Sequence, residues 1–380
     1  MADIYRSSIS SKQTRRRKSR RSKSVWLTLI DAFAFALMAV LIFATIVCLI
    51  TQHITPEKMG VLSVVVLAAP IVYLLNIVIM LYWIIRWRWR PAIVALIVFM
   101  TATLSLGKYC HITLKRSYDT PYNERHFIKT MTYNVANGTA PGIVEYIKEK
   151  NPKILCLQEF LFDYSKNWEQ LGDKYSTTAD GAYDFSCEII SRYPIIRHGE
   201  IDSISRFNGV WADVLIDKKD TLRVVNLHLQ STSIRPPDTQ FIEEHGYLRD
   251  TNRRGRIHSI ITRLAENNVK RAAQARLVRR FIEQSPVRNI VVCGDFNDVP
   301  LSYTYRHIAK DLNNGFAEAG RGYTYTFNGF FRLLSIDYLL TSNNIEVVSY
   351  ETDHEATYTD HYPLIARLKI IKQEDNENKQ

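Results

Sequence analysis

Hydrophobic positions run almost unbroken through three early stretches of the chain and then divide into short, interrupted runs. VWLTLIDAFAFALMAVLIFATIVCLI (25–50) and VLSVVVLAAPIVYLLNIVIMLYWII (61–85) exceed the roughly 20 apolar residues a helix needs to cross a bilayer; PAIVALIVFMTATLSLG (91–107) sits near the lower limit of about 17. The pattern predicts three transmembrane helices. A cleaved signal peptide fits less well, because its apolar core is only about 7–15 residues long and two further spans would not follow it. Asp31, one or two turns inside the first span, reads either as a carboxylate that reaches the interface or as a functional intramembrane charge.

Beyond a polar linker over 108–127, which carries Pro121, the pattern turns strand-like. FIKTMTYNV, ILCLQEF, EIISRYPI, GVWADVLID, TLRVVNLHL, NIVVCGDF, SIDYLLTS, IEVVSYET and YPLIARLKI are short β-branched and apolar runs. Between them, APGIVEYIKEKN and VKRAAQARLVRRFIEQS repeat apolar residues at three and four, the spacing of an amphipathic helix. Many strands with few helices predict an α/β sandwich, sheets face to face with helices outside, over about 250 residues. The expected organisation is a basic leader (1–24), three spans, the linker, one soluble domain (128–371) and a polar tail (372–380).

Charge sharpens this division. Residues 1–118 hold 16 Lys+Arg against 3 Asp+Glu, or +13; the remainder holds 33 against 35, or −2, so the net +11 is no argument for a nucleic-acid-binding surface. The leader SKQTRRRKSRRSKS is basic, the loop TQHITPEKMG nearly neutral, and RWRWRP basic again. By the positive-inside rule these alternate cytoplasm, outside, cytoplasm, and a third span then puts the soluble domain outside the cytoplasm. The expected location is therefore a multi-pass integral membrane protein with a cytoplasmic N-terminus and an extracytoplasmic domain. Five cysteines without zinc-ligand spacing read as core residues, with one optional bridge left open.

Polar residues close the apolar runs repeatedly. TMTYN ends on Asn134, ILCLQE on Glu159, VVNLH on His228 and VVCGD on Asp295, followed by Asn297 and Asp298; SID offers Asp337, and TDH supplies Asp360 and His361. Each alone fits a turn, a cap or a satisfied core residue. Together they do not, because several carboxylates buried at one rim are costly unless a cation or substrate compensates them.

The ordered set YN, QE, HL, GDFND, SIDYLL and TDH closely resembles the endonuclease/exonuclease/phosphatase superfamily, from about residue 128 to 371. The resemblance implies a four-layered α/β/β/α sandwich, a divalent metal, Mg²⁺ with Mn²⁺ as the alternative, and hydrolysis of phosphoester bonds. It implies Glu159 as principal metal ligand, with Asn134 building the metal site and Asp360 supporting a metal or water. Asp295 matches the group that orients or deprotonates the attacking water, Asn297 one that holds a phosphate oxygen or that water. His361 would contact phosphate with its tautomer fixed by Asp337, and His228 would stabilise developing charge. The choice of general base between His361 and Asp295 stays open. Arg192 in SRYPI fits a phosphate contact or a structural pair equally. Ala136 stands where some family nucleases carry an acid, which weakens an abasic-site endonuclease reading.

Substrate selection is expected in the region 231–280, rich in Arg, where Ile257, Ile260, Ile261 and Leu264 have helical spacing: a helix on headgroups, a wall for a polyanion, or a solvated face. Phe330 and Phe331 near Asp337 fit core or a lipid or base contact. A lipid headgroup or a small phosphorylated molecule is favoured over extracellular nucleic acid, which enters as substrate only; a catalytically silent phospho-ligand binder is the reading from another class. The expected partners are thus a phosphoester substrate and the lipid bilayer.

Overall fold

A computed structural model describes residues 2–111, 127–161, 176–177, 185–201, 208–217, 220–234, 236–244 and 250–371. The leader's side chains, most of the expected linker (112–126, with Pro121), the tail (372–380) and, within 231–280, residues 235 and 245–249 lie outside the described residues. The chain divides into two compact units, one of residues 1–46 and 69–102, the other of 47–68 and 103–380.

The first unit is helical. Asp31, read either as a carboxylate that reaches the interface or as a functional charge, is paired: Arg86 forms a salt bridge to its Oδ2 at 2.9 Å and the Tyr82 hydroxyl donates to Oδ1 at 2.6 Å. Pairing a carboxylate with a guanidinium is how a charge is accommodated in an apolar segment. Two helices are long and apolar enough to cross a membrane, Val25–Thr51 and Pro56–Ile85, each with only 33% of its apolar window buried. The third apolar helix, Trp89–Thr103, falls short, so two helices, not the expected three, are long and apolar enough to span. Its opening WRP turn and its Thr residues dilute the apolar run, and the full helix of 18 residues (Trp89–Leu106) is about 27 Å long against a hydrocarbon core of about 30 Å. The second span is not one α-helix either. A 3-10 stretch (Gly60–Ala68) precedes the α-helix Ala69–Ile85, next to Pro70, whose ring lacks an N–H and collides with the carbonyl four residues back.

The second unit holds the sandwich. Its described strands are, in chain order, β1 (Cys110–His111), β2 (Ile128–Asn137), β3 (Ile154–Leu161), β4 (Ser176–Thr177), β5 (Phe185–Ser191), β6 (Ile195–Glu200), β7 (Gly209–Leu215), β8 (Thr221–His228), β9 (Asn289–Asp295), β10 (Asn313–Asn314), β11 (Gly322–Tyr323), β12 (Asp337–Thr341), β13 (Ile345–Thr352) and β14 (Leu364–Ile370). Two six-stranded sheets form, ordered β13-β14-β2-β3-β5-β4 and β10-β12-β9-β8-β7-β6. β2 and β3 are parallel across the helix Ile143–Lys150, and β8 and β9 are parallel across the helices Pro236–Glu243 and Arg253–Glu283. The run EIISRYPI is thus two strands: β5 ends at Ser191 in one sheet and β6 starts at Ile195 in the other, so Tyr193–Pro194 is a crossover between layers.

Alternation explains the layers. Ile154 and Cys156 of β3, Leu222 and Val224 of β8, Val291 and Cys293 of β9, and Leu339 of β12 share one core between the sheets. The intervening residues face the outer helices, Leu155 and Leu157 with Ile143 and Ile147, and Val225, Leu227, Ile290 and Val292 with Ala275, Val278 and Ile282. Helix, sheet, sheet and helix stack as expected for an α/β sandwich. All five cysteines are free thiols. Val47–Ala68 belongs to this unit rather than to the helical one, so the unit begins well before residue 128.

Candidate active site

The inner face of each central strand changes from apolar to polar as the strand ends. Along β2 it reads Ile128, Thr130, Thr132, Asn134; along β8 Leu222, Val224, Asn226, His228; along β9 Val291, Cys293, Asp295. Register then sets neighbours: His228 lies opposite Asp295, and Asp295 opposite Asp337. Directly opposed residues on one face have Cβ atoms about 4.5–5.5 Å apart, so three functional groups stand in a row on adjacent strands.

Glu159 breaks the alternation. Counting from Leu155 and Leu157 it should face the outer helix, yet its φ is +52° and the register of β3 against both neighbours shifts around it. Such a bulge re-aims a side chain, and strain of this kind persists where surrounding structure enforces it. The Glu159 carboxylate consequently takes a hydrogen bond from Asn134 Nδ2 at 3.2 Å and meets His228 Nε2 at 3.4 Å.

Asp295 is the hub. Its Oδ1 accepts the Asn297 N–H at 2.8 Å; its Oδ2 accepts Asn297 Nδ2 at 3.0 Å and Asn134 Nδ2 at 3.3 Å. The Nε2 atoms of His228 and His361 each stand 3.8 Å from that Oδ2. Gly294 makes the position achievable: its φ is +120°, and a Cβ there would fall 2.0 Å from the Leu227 carbonyl oxygen. His361 Nδ1 faces Asp337 Oδ2 at 3.1 Å, with the Phe327 ring edge-on at 5.2 Å. Burial alone would lower the His361 pKa, but the adjacent Asp337 and Asp295 carboxylates raise it well above the ordinary histidine value. Burial, then Asp295, push the Asp337 carboxyl up, against the opposing pull of His361.

The structure brings Asn134, Glu159, His228, Asp295, Asn297, Asp337 and His361 together. It does not bring Arg192, which is exposed, donates to Asn151 Oδ1, and follows Ser191, the partner of Ile154 at the opposite end of β3. Five strand positions separate Ile154 from Glu159, roughly 16 Å, so a phosphate contact from Arg192 is not met and the structural pairing holds. Asp360 is exposed; its carbonyl accepts the Asn328 N–H at 2.7 Å, and no hydrogen bond or ion pair joins its carboxylate to Glu159, Asn134 or Asp295 among the described residues. Phe331 is 57% exposed and so is not core. Three supporting residues escaped the sequence reading. Asn226 joins the layers by donating to the Leu157 and Glu188 carbonyls, Asn208 Nδ2 donates to the His228 carbonyl at 3.0 Å, and the Thr326 hydroxyl accepts the Asp337 N–H at 3.0 Å. Of the three, only Asn226 has a signal in the sequence, a polar residue interrupting the otherwise apolar inner face of β8.

A divalent cation fits this site on its charge and donors. Ligand atoms of Asp295, Asp337 and His361 lie within 4.8 Å of one another, and Glu159 adds a carboxylate 38% exposed. No Lys or Arg forms an ion pair with Glu159, Asp295 or Asp337 among the described residues. Three carboxylates gather here beside the one imidazolium that Asp337 and Asp295 favour at His361, offering hard oxygen donors suited to Mg²⁺ or Mn²⁺.

A family model described as Endonuclease/Exonuclease/phosphatase family matches residues 131–361, more than half of the chain. This chain belongs to the endonuclease/exonuclease/phosphatase family. A second model, a domain of unknown function (DUF8431), matches residues 31–109. Solved structures of similar fold include an endonuclease/exonuclease/phosphatase from Bacteroides vulgatus (18% identity, 64% of this chain and 99% of that one, TM-score 0.47). Others are a humanized D. rerio TDP2 (14%, 64% and 99%, 0.46) and ANGEL2, a 2',3'-cyclic phosphatase (16%, 64% and 96%, 0.45). At these identities they transfer no substrate to this family member. No curated protein matches the chain.

Proposed function

We propose that this family member is a membrane-anchored, divalent-metal-dependent phosphoesterase whose active site is the rim of Asn134, Glu159, His228, Asp295, Asn297, Asp337 and His361. The observation that carries the reading is the convergence of these seven residues, drawn from both sheets, on one carboxylate-rich site. Mg²⁺, or Mn²⁺, when bound would neutralise phosphate charge and lower the pKa of water; Glu159 and Asn134 would hold it. Asp295, fixed by three N–H donors, orients the attacking water and takes its proton. His361 cannot be that base while Asp337 keeps it an imidazolium, because neither ring nitrogen then has a free lone pair. It instead presents Nε2–H to a phosphoryl oxygen, with Asn297 and His228 beside it, a donor arrangement set before substrate arrives.

The extracytoplasmic location is part of the proposal. The polar turn after the first apolar helix belongs to the sandwich's own compact unit, with Glu57 paired to Arg276 at 2.9 Å. Because turn and sandwich belong to one compact unit, placing the nearly neutral turn outside by the positive-inside rule places the sandwich there with it. A domain held at the outer surface meets lipid headgroups and small phosphoesters, and these are the favoured substrates. The test is a Mg²⁺-supplemented screen of the full chain in detergent against sphingomyelin, glycerophospholipids, inositol phosphates, DNA and RNA. Turnover of a lipid or small phosphoester is expected; preferential cleavage of DNA or RNA would replace the substrate class, and no turnover of any would leave a silent phospho-ligand binder.

A further inference from the structure

Arg271 is a fully buried guanidinium that the catalytic rim does not use. It projects from the middle of the helix Arg253–Glu283, and burial pulls its pKa below the ordinary arginine value. Its Nη1 donates to the Gln230 carbonyl at 2.9 Å, two residues after His228, and its Nε points to Asp298 Oδ2 at 3.4 Å, next to Asn297. The same helix holds Gln230 from a second side, Gln274 Oε1 accepting the Gln230 N–H at 2.8 Å. The two loops so gripped are also joined to each other, Asn297 Nδ2 donating to the Leu229 carbonyl at 3.1 Å and to Asp295.

The other end of this network lies in an apolar segment. Arg271 Nη2 donates to Asn268 Oδ1, Asn268 Nδ2 donates to Ser63 Oγ at 2.9 Å, and Ser63 Oγ donates to the Gly60 carbonyl at 2.7 Å. Donor inventory sets the direction. Arginine only donates, so Asn268 must turn its oxygen toward Arg271 and its NH₂ toward Ser63, which must accept there and spend its own proton on Gly60. Ser63 and Asn268 are 1% and 5% exposed, so water does not substitute for either. Beside this polar line, Val64 and Leu67 pack with Phe241, Ile260 and Leu264, seating the Gly60–Ala68 stretch on the helix.

We propose that Ser63, Asn268 and Arg271 are positioning residues through which the docked Gly60–Ala68 segment sets the loop that follows His228 and the loop that carries Asn297, so that full turnover requires this apolar segment in place. The inference rests on the phosphoesterase reading for its kinetic consequence, though not for its structural one. Arg271 is the costly position to change, since Asp298 would be left buried and unpaired. Ser63 is the sharper probe, since it lies outside the rim and a hydroxyl can be deleted or kept there.

The experiment compares the full chain with Ser63→Ala and Ser63→Thr in detergent micelles, measuring Mg²⁺-supported hydrolysis of bis(p-nitrophenyl) phosphate and amide hydrogen exchange by mass spectrometry. Ser63→Ala should lower kcat about tenfold with KM changed by less than about twofold, the signature of misplaced groups rather than lost binding. Exchange should accelerate at 296–300 and not along β8, and Ser63→Thr should restore both. A wild type with no turnover, but with faster exchange at 296–300 in Ser63→Ala, would sink the phosphoesterase reading and keep the tether. Unchanged exchange at 296–300 overturns the tether, as does a uniform rise that includes β8, which would mark a general staple of the fold.

Discussion

Asp337→Asn removes the carboxylate that keeps His361 charged while barely changing shape. At 3.1 Å, and with an effective dielectric constant near 20, the attraction between carboxylate and imidazolium is on the order of 5 kcal/mol. Its loss, partly offset by the remaining Asp295 charge, should bring the His361 pKa down to or below the ordinary histidine value. Burial already pulls that pKa down, so the ring becomes neutral at pH 7.5 and no longer offers a cationic donor to phosphate. Removing one such donor costs about 10²–10³-fold in kcat. The assay is kcat/KM for bis(p-nitrophenyl) phosphate by the full chain in detergent with Mg²⁺, from pH 5 to 10. In the wild type the alkaline limb should lie well above the ordinary histidine value of about 6.5; in Asp337→Asn it should move to or below that value, with activity partly recovered at acid pH. Linkage gives the sign for stability: a histidine whose pKa is raised in the fold contributes stability that is present below its ordinary value and lost as pH rises through its folded value, so Asp337→Asn should give up that contribution and flatten the loss of Tm on the alkaline side. An alkaline limb that stays put in Asp337→Asn would refute the His361–Asp337 assignment.

Glu159→Gln keeps the bulge and the Asn134 contact but removes one negative charge, so half-maximal Mg²⁺ should rise more than about tenfold at little cost in Tm, read from a metal titration of turnover. Gly294→Ala forces a Cβ to 2.0 Å from the Leu227 carbonyl oxygen at a φ of +120°, which should cost more than about 3 kcal/mol and lower Tm by on the order of 10 °C in a thermal melt. A reporter fused after Gln380 should be active only outside the cytoplasm, and strong cytoplasmic signal would overturn the topology.

Much of this site could be read from the chain because strands impose a period of two. Asn134, His228 and Asp295 end apolar runs and Asp337 opens one, and in the folded strands the alternation carries them to the inner faces. Glu159 shows where that logic fails. Strict alternation sends it outward, and only the local φ of +52° turns it in, a feature no periodicity reveals. Arg192 failed for the opposite reason: a strand-entry motif says nothing about which end of the sheet it occupies. Arg271 was hidden among the many basic residues of a helix that reads as solvated, because the apolar segment covering it is some two hundred positions earlier in the chain. That long-range packing also joins the Gly60–Ala68 stretch to the sandwich's own compact unit: it looks like part of a span, yet its Ser63 is bonded to Asn268.

The decisive observation is hydrolysis of bis(p-nitrophenyl) phosphate by the purified full chain through a cycle of EDTA and Mg²⁺ addition, with Asp295→Ala carried alongside. Turnover should vanish with chelator, return with Mg²⁺, and fall by several orders of magnitude in the variant. Hydrolysis indifferent to chelation, or equal in Asp295→Ala, would contradict a metal-dependent centre at this rim.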